Sequence, residues 1–197
     1  MLNLNPATTA VVLIDLQKGL LGLPLAPYAA TQVVGSAVRL AKKVTTTGGT
    51  VVLVRVDFGD GLAAAPRGQT DTPLAIPAGG IPADWSEIAP DLLAIQPCLT
   101  VTKHNWSAFY GTNLDLQLRR RGISHIILGG LMTNFGVEST ARDGWQHNYT
   151  VVVAEDACGS FNADLHGFAI ANTLPRVSLV RKSSEIIAAL DEKAHTE

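Results

Sequence analysis

With 197 residues and 47% hydrophobic side chains, the chain can bury one sizeable core, and a single domain over residues 1–197 is its simplest organisation. Fifteen basic residues against seventeen acidic ones leave a net charge of −2 with no large block of either sign, which argues against a nucleic-acid footprint or an acidic tail. Two cysteines cannot frame a disulfide scaffold, no charged-then-apolar leader is visible, and each apolar run is too short to cross a bilayer, so a cytoplasmic, reduced protein with neither membrane nor nucleic-acid partners is expected.

The first element is TTAVVLID (8–15), a β-branched run closed by an acid, read as a strand. TQVVGSAVRLAKKVTTTGG (31–49) follows with helical period and a terminal glycine pair that stops it. TVVLVRVD (50–57) reads as a second strand. Some forty residues then separate Asp57 from Cys98, rich in Gly, Pro and Ala (FGDGLAAAPRGQTDTPLAIPAGGIPADW) and far beyond the ~2–6 residues usual for such a connection. That length predicts a pocket rim or a subunit contact, with a tolerated surface insertion as the alternative. The apolar stretch PLAIPAGGIP within it is surface that wants covering, and with the resemblance described below it leads to the expectation of a homo-oligomer, dimer or larger.

CLTVTK (98–103) is a third strand, NLDLQLRRR (113–121) a short helix whose arginines complement its C-terminal dipole, and HIILGG (125–130) a fourth strand. Next comes TNFGVEST (133–140), a strand-to-helix turn in which Thr133 reads as the helix N-cap. TVVVAED (150–156) and RVSLV (176–180) complete six strands, with ADLHGFAIANTLP (163–175) between them and SSEIIAALDEK (183–193) after them, the latter capped by Ser183 or Ser184. Strands alternating with helices predict a three-layer α/β/α, Rossmann-like fold on a six-stranded parallel sheet.

In such sheets ligands bind outside the carboxyl ends of the strands, so the residues that close them carry the functional information. The first strand ends in Asp15, the third in Lys103, and the fourth in the glycine-rich turn through Gly136. A buried Asp15 needs a partner, and Lys103 is the available cation, although each alone is also compatible with a capping acid and a solvated lysine. His104 is a candidate polar group at the pocket. His125, at the opposite edge of the sheet, reads as structural, and Cys98 and Cys158 as packing residues.

From TTAVVLIDLQ through KHNWSAFYGTNLDLQLRRRGISHIILGGLMTNFGVESTARDGWQHNYTVVVAEDACGS, the chain resembles the isochorismatase-like hydrolases, or cysteine hydrolase superfamily. The resemblance implies strand order 3-2-1-4-5-6 and a non-proline cis peptide at Leu131-Met132. It implies Asp15 as catalytic acid/base, Lys103 as its charged partner, and Gly136 at the place where most members carry a nucleophilic cysteine. The substrate-binding candidates are Gln17, Trp106, Phe109, Met132, Thr133 and Asn134, with Tyr110 beside them. Nicotinamidases of the superfamily hold a metal through an Asp-x-His pattern after the second strand; here that region reads VDFGDG and no histidine precedes His104, so neither metal nor cofactor is expected.

Glycine at 136 decides what chemistry to expect. A thiolate attack on a carbonyl has no attacking atom there. Isochorismatases also carry glycine at this place and cleave a vinyl ether, with an acid protonating the enol carbon and water completing the reaction. The chain begins almost directly at its first strand and KHNWSAFYGT departs from the isochorismatase motif, so the expectation is an isochorismatase-like hydrolase of a small, anionic organic molecule. The alternative is a binding protein or lapsed amidase that lost turnover with the thiol. Asp15 must remain protonated near neutral pH for the first reading; desolvation favours that state and the Lys103 ammonium opposes it.

Overall fold

The computed structural model describes residues 2–73, 76 and 79–194. Part of the PLAIPAGGIP stretch (74, 75, 77 and 78) lies outside the described residues. Six strands, β1 (Thr9–Ile14), β2 (Thr50–Val56), β3 (Leu99–Lys103), β4 (His125–Leu131), β5 (Thr150–Gly159) and β6 (Leu179–Arg181), form one sheet in the order β3-β2-β1-β4-β5-β6, every pairing parallel. The helices are α1 (Lys18–Leu21), α2 (Ala30–Thr46), α3 (Pro90–Leu93), α4 (Leu114–Arg120), α5 (Glu138–Gln146), α6 (Ala163–Phe168) and α7 (Ser183–Ala194).

The alternation of strand side chains sorts the core into two halves. Val11, Leu13, Val51, Leu53, Ile127 and Val152 pack under Val33, Ala37, Leu40 and Val44 of α2 and Ile186 and Leu190 of α7. Ala10, Val12, Ile14, Val52, Val54, Ile126 and Leu128 face Leu114 and Leu118 of α4 and Ala141 of α5. Both faces of the central strand β1 are therefore dry, which is why TAVVLI contains no polar residue after Thr9. At roughly 25 cal/mol per Å² of apolar surface removed from water, burial on both faces is the main source of cohesion.

Three details differ from expectation. β6 is only three residues long and starts at Leu179, because Leu174–Arg176 form one turn of 3₁₀ helix and keep Arg176 out of the sheet. β5 runs on to Gly159: its pairing with β4 breaks after Leu128 and resumes at Gly130↔Cys158, so Glu155 and Asp156 lie in the irregular stretch. Ser183 is the first residue of α7 rather than its cap, and its amide and hydroxyl both donate to the Asp156 carboxylate, at 2.6 Å each. Among the described residues no helix is long and apolar enough to cross a membrane.

Candidate active site

The switch point of this sheet lies between β1 and β4, the two strands that leave the core side by side with their connections running in opposite directions. Asp15 follows β1 with φ +57°, a conformation that aspartate tolerates better than most residues, and its N–H donates to Val54 O at 2.8 Å. Gly130, paired with Ile14 on β4, has φ +124°. A Cβ there would lie 1.9 Å from the Ile14 carbonyl oxygen, so only glycine lets the end of β1 approach β4 this closely. The Leu131-Met132 peptide is cis, and a π-type turn over Thr133–Val137 leads into α5.

Lys103 closes β3, two strands from β1, and its long apolar stem carries the ammonium inward across the end of β2. Its Nζ lies 2.8 Å from Asp15 Oδ2 and donates to Asn105 O at 2.9 Å. The pair is almost wholly dry, with side-chain exposures of 2% for Lys103 and 6% for Asp15. Asp15 Oδ1 is buried without a hydrogen-bond partner. The two opposing influences on Asp15 are thereby decided: desolvation outweighs the Lys103 charge, and the carboxyl pKa is raised to about 6.

Gly136 turns its open side onto the same carboxyl group. A Cβ at 136 would lie 3.2 Å from Asp15 Oδ2, 3.4 Å from Ile14 Cγ2 and 2.8 Å from Leu131 O. Asp15, Lys103 and the Gly136 turn thus converge within one side-chain length, as the chemistry requires. Neither thiol belongs to the turn that faces Asp15. Cys158 is buried in the core with its pKa pushed up to about 12 by desolvation, and Cys98 is exposed before β3. Among the described residues no cluster of three or more His, Cys, Asp or Glu is placed to hold a metal ion.

The remaining candidates divide. Met132 is buried at the start of the turn and takes the N-cap position expected of Thr133. Thr133 is fully buried one residue later, its hydroxyl paired with His166 Nδ1 at 2.9 Å rather than with the helix amides. Asn134 Oδ1 accepts from Ser160 Oγ at 2.6 Å, tying the turn to the end of β5. Trp106 is 62% exposed and packs against Phe135, ring centroids 4.9 Å apart, and Phe135 in turn meets Phe161 at 6.0 Å.

Gln17 and Phe109 make internal contacts. Gln17 is fully buried; its amide accepts from Val56 N and donates to Val56 O and Trp85 O, so all of it goes to cross-linking backbone. Phe109 is buried in the core, its ring 5.8 Å from that of Tyr149 and 5.3 Å from that of His147. Tyr110 is 69% exposed, and His104 Nδ1 pairs with Asp57 O at 2.6 Å. His125 sits half-buried at the far edge of β4 beside Ser124.

Residues 85–89 of the long connection return to the site. Ile88 bridges Gln17, Lys18 N donates to Glu87 O and Gly19 N to Trp85 O, and the Trp85 ring occupies the space where a Cβ of Gly19 would be. Sequence reasoning missed Phe135, Phe161, His166 and Ser160. Only His166 carried a signal, as a lone imidazole in the otherwise apolar and small-residue LHGFAIA.

Comparison with known proteins agrees with this architecture. The isochorismatase domain profile matches residues 9–185. The isochorismatase family protein YecD of Escherichia coli O157:H7 is 44% identical over 190 residues, 96% of this chain and 100% of that one. The structure of an isochorismatase family protein from Burkholderia thailandensis superposes with a TM-score of 0.90 at 41% identity, covering 96% of this chain and 98% of that one. The ureidoacrylate amidohydrolase RutB of Caulobacter vibrioides is 29% identical over 184 residues, with 79% of each chain covered. On a profile match over nearly its whole length and relatives this similar, the chain belongs to the isochorismatase family and is a hydrolase.

Proposed function

We propose that the protein hydrolyses a vinyl ether of a small organic anion by acid catalysis, without a protein nucleophile. The observation that carries this reading is Asp15: one carboxyl oxygen is held by Lys103, the other is buried and unpartnered, and glycine stands beside them where a thiol would be needed for acyl transfer. Protonated Asp15 donates its proton to the enol carbon, and the C=C electron pair forms the new C–H bond. Water adds to the resulting oxocarbenium carbon and passes a proton to the Asp15 carboxylate. The hemiketal then expels the alcohol and leaves a carbonyl product. Lys103 anchors Oδ2 and offers a buried ammonium to a substrate carboxylate, and Trp106 flanks the turn as the substrate's apolar wall.

Likeness to RutB favours amide hydrolysis as a second reading, and Gly136→Cys separates the two. The new Cβ would press on Leu131 O at 2.8 Å and lie against Asp15, in the space the reacting carbon needs. Vinyl ether hydrolysis should fall about tenfold or more, the scale of a roughly 1 Å misplacement at a reacting centre, and no amide hydrolysis should appear. A panel of small vinyl ethers and ureido or primary amides, run on parent and variant, measures both. Amide turnover gained by the variant, with no vinyl ether turnover in the parent, favours a lapsed amidase.

A further inference from the structure

His166 is a buried imidazole that the reaction above leaves unused. It lies on α6, 3% exposed, with Nδ1 at 2.9 Å from Thr133 Oγ1 and Nε2 at 3.4 Å from Glu155 Oε1. Glu155 also accepts from Tyr28 OH at 2.7 Å and pairs with Lys182, whose ammonium donates to the Tyr28 hydroxyl at 2.8 Å. The Tyr28 ring meets the imidazole edge-on at 5.9 Å. These groups close a polar chain from the surface Lys182 to the second residue of the cis peptide's turn.

The chemistry of the chain fixes its proton positions. Glu155 is held below the ordinary carboxylate pKa by Lys182, Tyr28 and His166 against the opposing effect of burial, and as a carboxylate it only accepts. Burial lowers the His166 pKa, so the ring is neutral and carries one proton. That proton belongs on Nε2, facing Glu155, which leaves Nδ1 as an acceptor and makes Thr133 the donor. A threonine at a helix start ordinarily turns its hydroxyl to the helix amides; here none is capped by a side chain and the hydroxyl is turned to His166 instead.

We propose that His166 is a positioning residue for the hydrolytic site: its Nδ1 accepts a hydrogen bond from the Thr133 hydroxyl and so pins the β4–α5 turn that sets Gly136 against Asp15. This rests on Asp15 and the Gly136 turn being the reactive centre. Ser160 Oγ donates to Asn134 on the β5 side and Thr140 Oγ1 donates to Gly136 O from within α5, while His166 is the anchor of the turn toward α6.

Two isosteric replacements separate positioning from mere packing. In His166→Asn the amide oxygen falls near the place of Nδ1 and can still accept from Thr133, while the Glu155 contact is lost. His166→Gln puts its polar atoms near the place of Nε2, keeping Glu155 and losing Thr133. On the full chain, amide hydrogen exchange of Val137, whose N–H donates to Met132 O at 3.2 Å, reports the turn, and ¹³C-carboxyl NMR reports the Asp15 titration. His166→Gln should speed Val137 exchange about tenfold or more and lower the Asp15 midpoint as water enters; His166→Asn should leave both near the parent values. Thr133→Val should match His166→Gln, and combining them should add little. Equal behaviour of the Asn and Gln variants, or full additivity with Thr133→Val, overturns the proposal. An Asp15 midpoint in the ordinary carboxylate range in the parent would instead refute the acid role, and Val137 exchange would still decide the role of His166.

Discussion

Asp15→Asn should lower turnover by about a hundredfold or more while leaving substrate affinity within a few-fold, the scale expected when a positioned proton donor is removed. The amide has nearly the shape of the carboxyl group, so Lys103 keeps an oxygen to donate to and the pocket keeps its volume. What disappears is the acidic proton on the unpartnered oxygen. Loss of affinity with turnover per bound substrate unchanged would show Asp15 to be a binding group only. The same measurement made with Lys103 intact is the more informative one, because removing Lys103 would take away the cation that holds the carboxyl group and drive it further toward the neutral state.

The largest effect on stability is expected at Gly130, one residue before the Leu131-Met132 cis peptide. Gly130→Ala places a methyl 1.9 Å from Ile14 O and 2.7 Å from Ile14 N, all of it backbone on the central strand, at a φ of +124° that disfavours any side chain. Neither β1 nor β4 can yield, since both are buried on two faces and paired with each other from Thr9↔His125 to Ile14↔Gly130. The cost should reach about 4 kcal/mol or more, in the range reserved for backbone clashes in a core, and lower Tm by about 10 °C or more in a domain of this size. Gly129→Ala is the milder comparison: its Cβ would meet Ala157 Cβ and O at 3.2 Å and Leu13 Cδ2 at 3.3 Å, tight contacts but far from the 1.9 Å overlap at Gly130, and its backbone has no positive φ. Scanning calorimetry of the two variants side by side measures the difference, and equal losses would show that the strand spacing at Ile14 is not what glycine secures.

The middle of the sheet was legible because its strands are buried on both faces and so appear as unbroken apolar runs such as VVLI and HIIL, whereas the edge strands β3 and β6 are partly exposed. The end of β1 was legible for the same reason, since a charge that follows such a run, as at Asp15, marks where the sheet opens; Lys103 closes the alternating edge strand LTVTK. Strand order and the cis peptide were implied by family resemblance, and periodicity alone contains neither. Side-chain destinations were the hard part. Gln17 and Thr133 have residue types that suit a pocket or a cap, but their partners, Val56, Trp85 and His166, lie 33 to 68 residues away along the chain. Phe109, a substrate-binding candidate by resemblance, is buried against Tyr149 in the core, a destination that local sequence does not contain. The balance between burial and the Lys103 charge at Asp15 is likewise a property of three dimensions, since it depends on how much water reaches one oxygen atom.

The most direct test of nucleophile-free acid catalysis is hydrolysis of a small vinyl ether carboxylate in D₂O, followed across pH. Carbon protonation by Asp15 predicts one solvent deuteron on the former terminal vinyl carbon of the product. With a carboxyl pKa of about 6, the active form is the protonated one, so kcat/KM should be full on the acid side and fall tenfold per unit as pH rises beyond about 6. A product without carbon-bound deuterium, or a rate that rises with pH through the same range, would contradict the account.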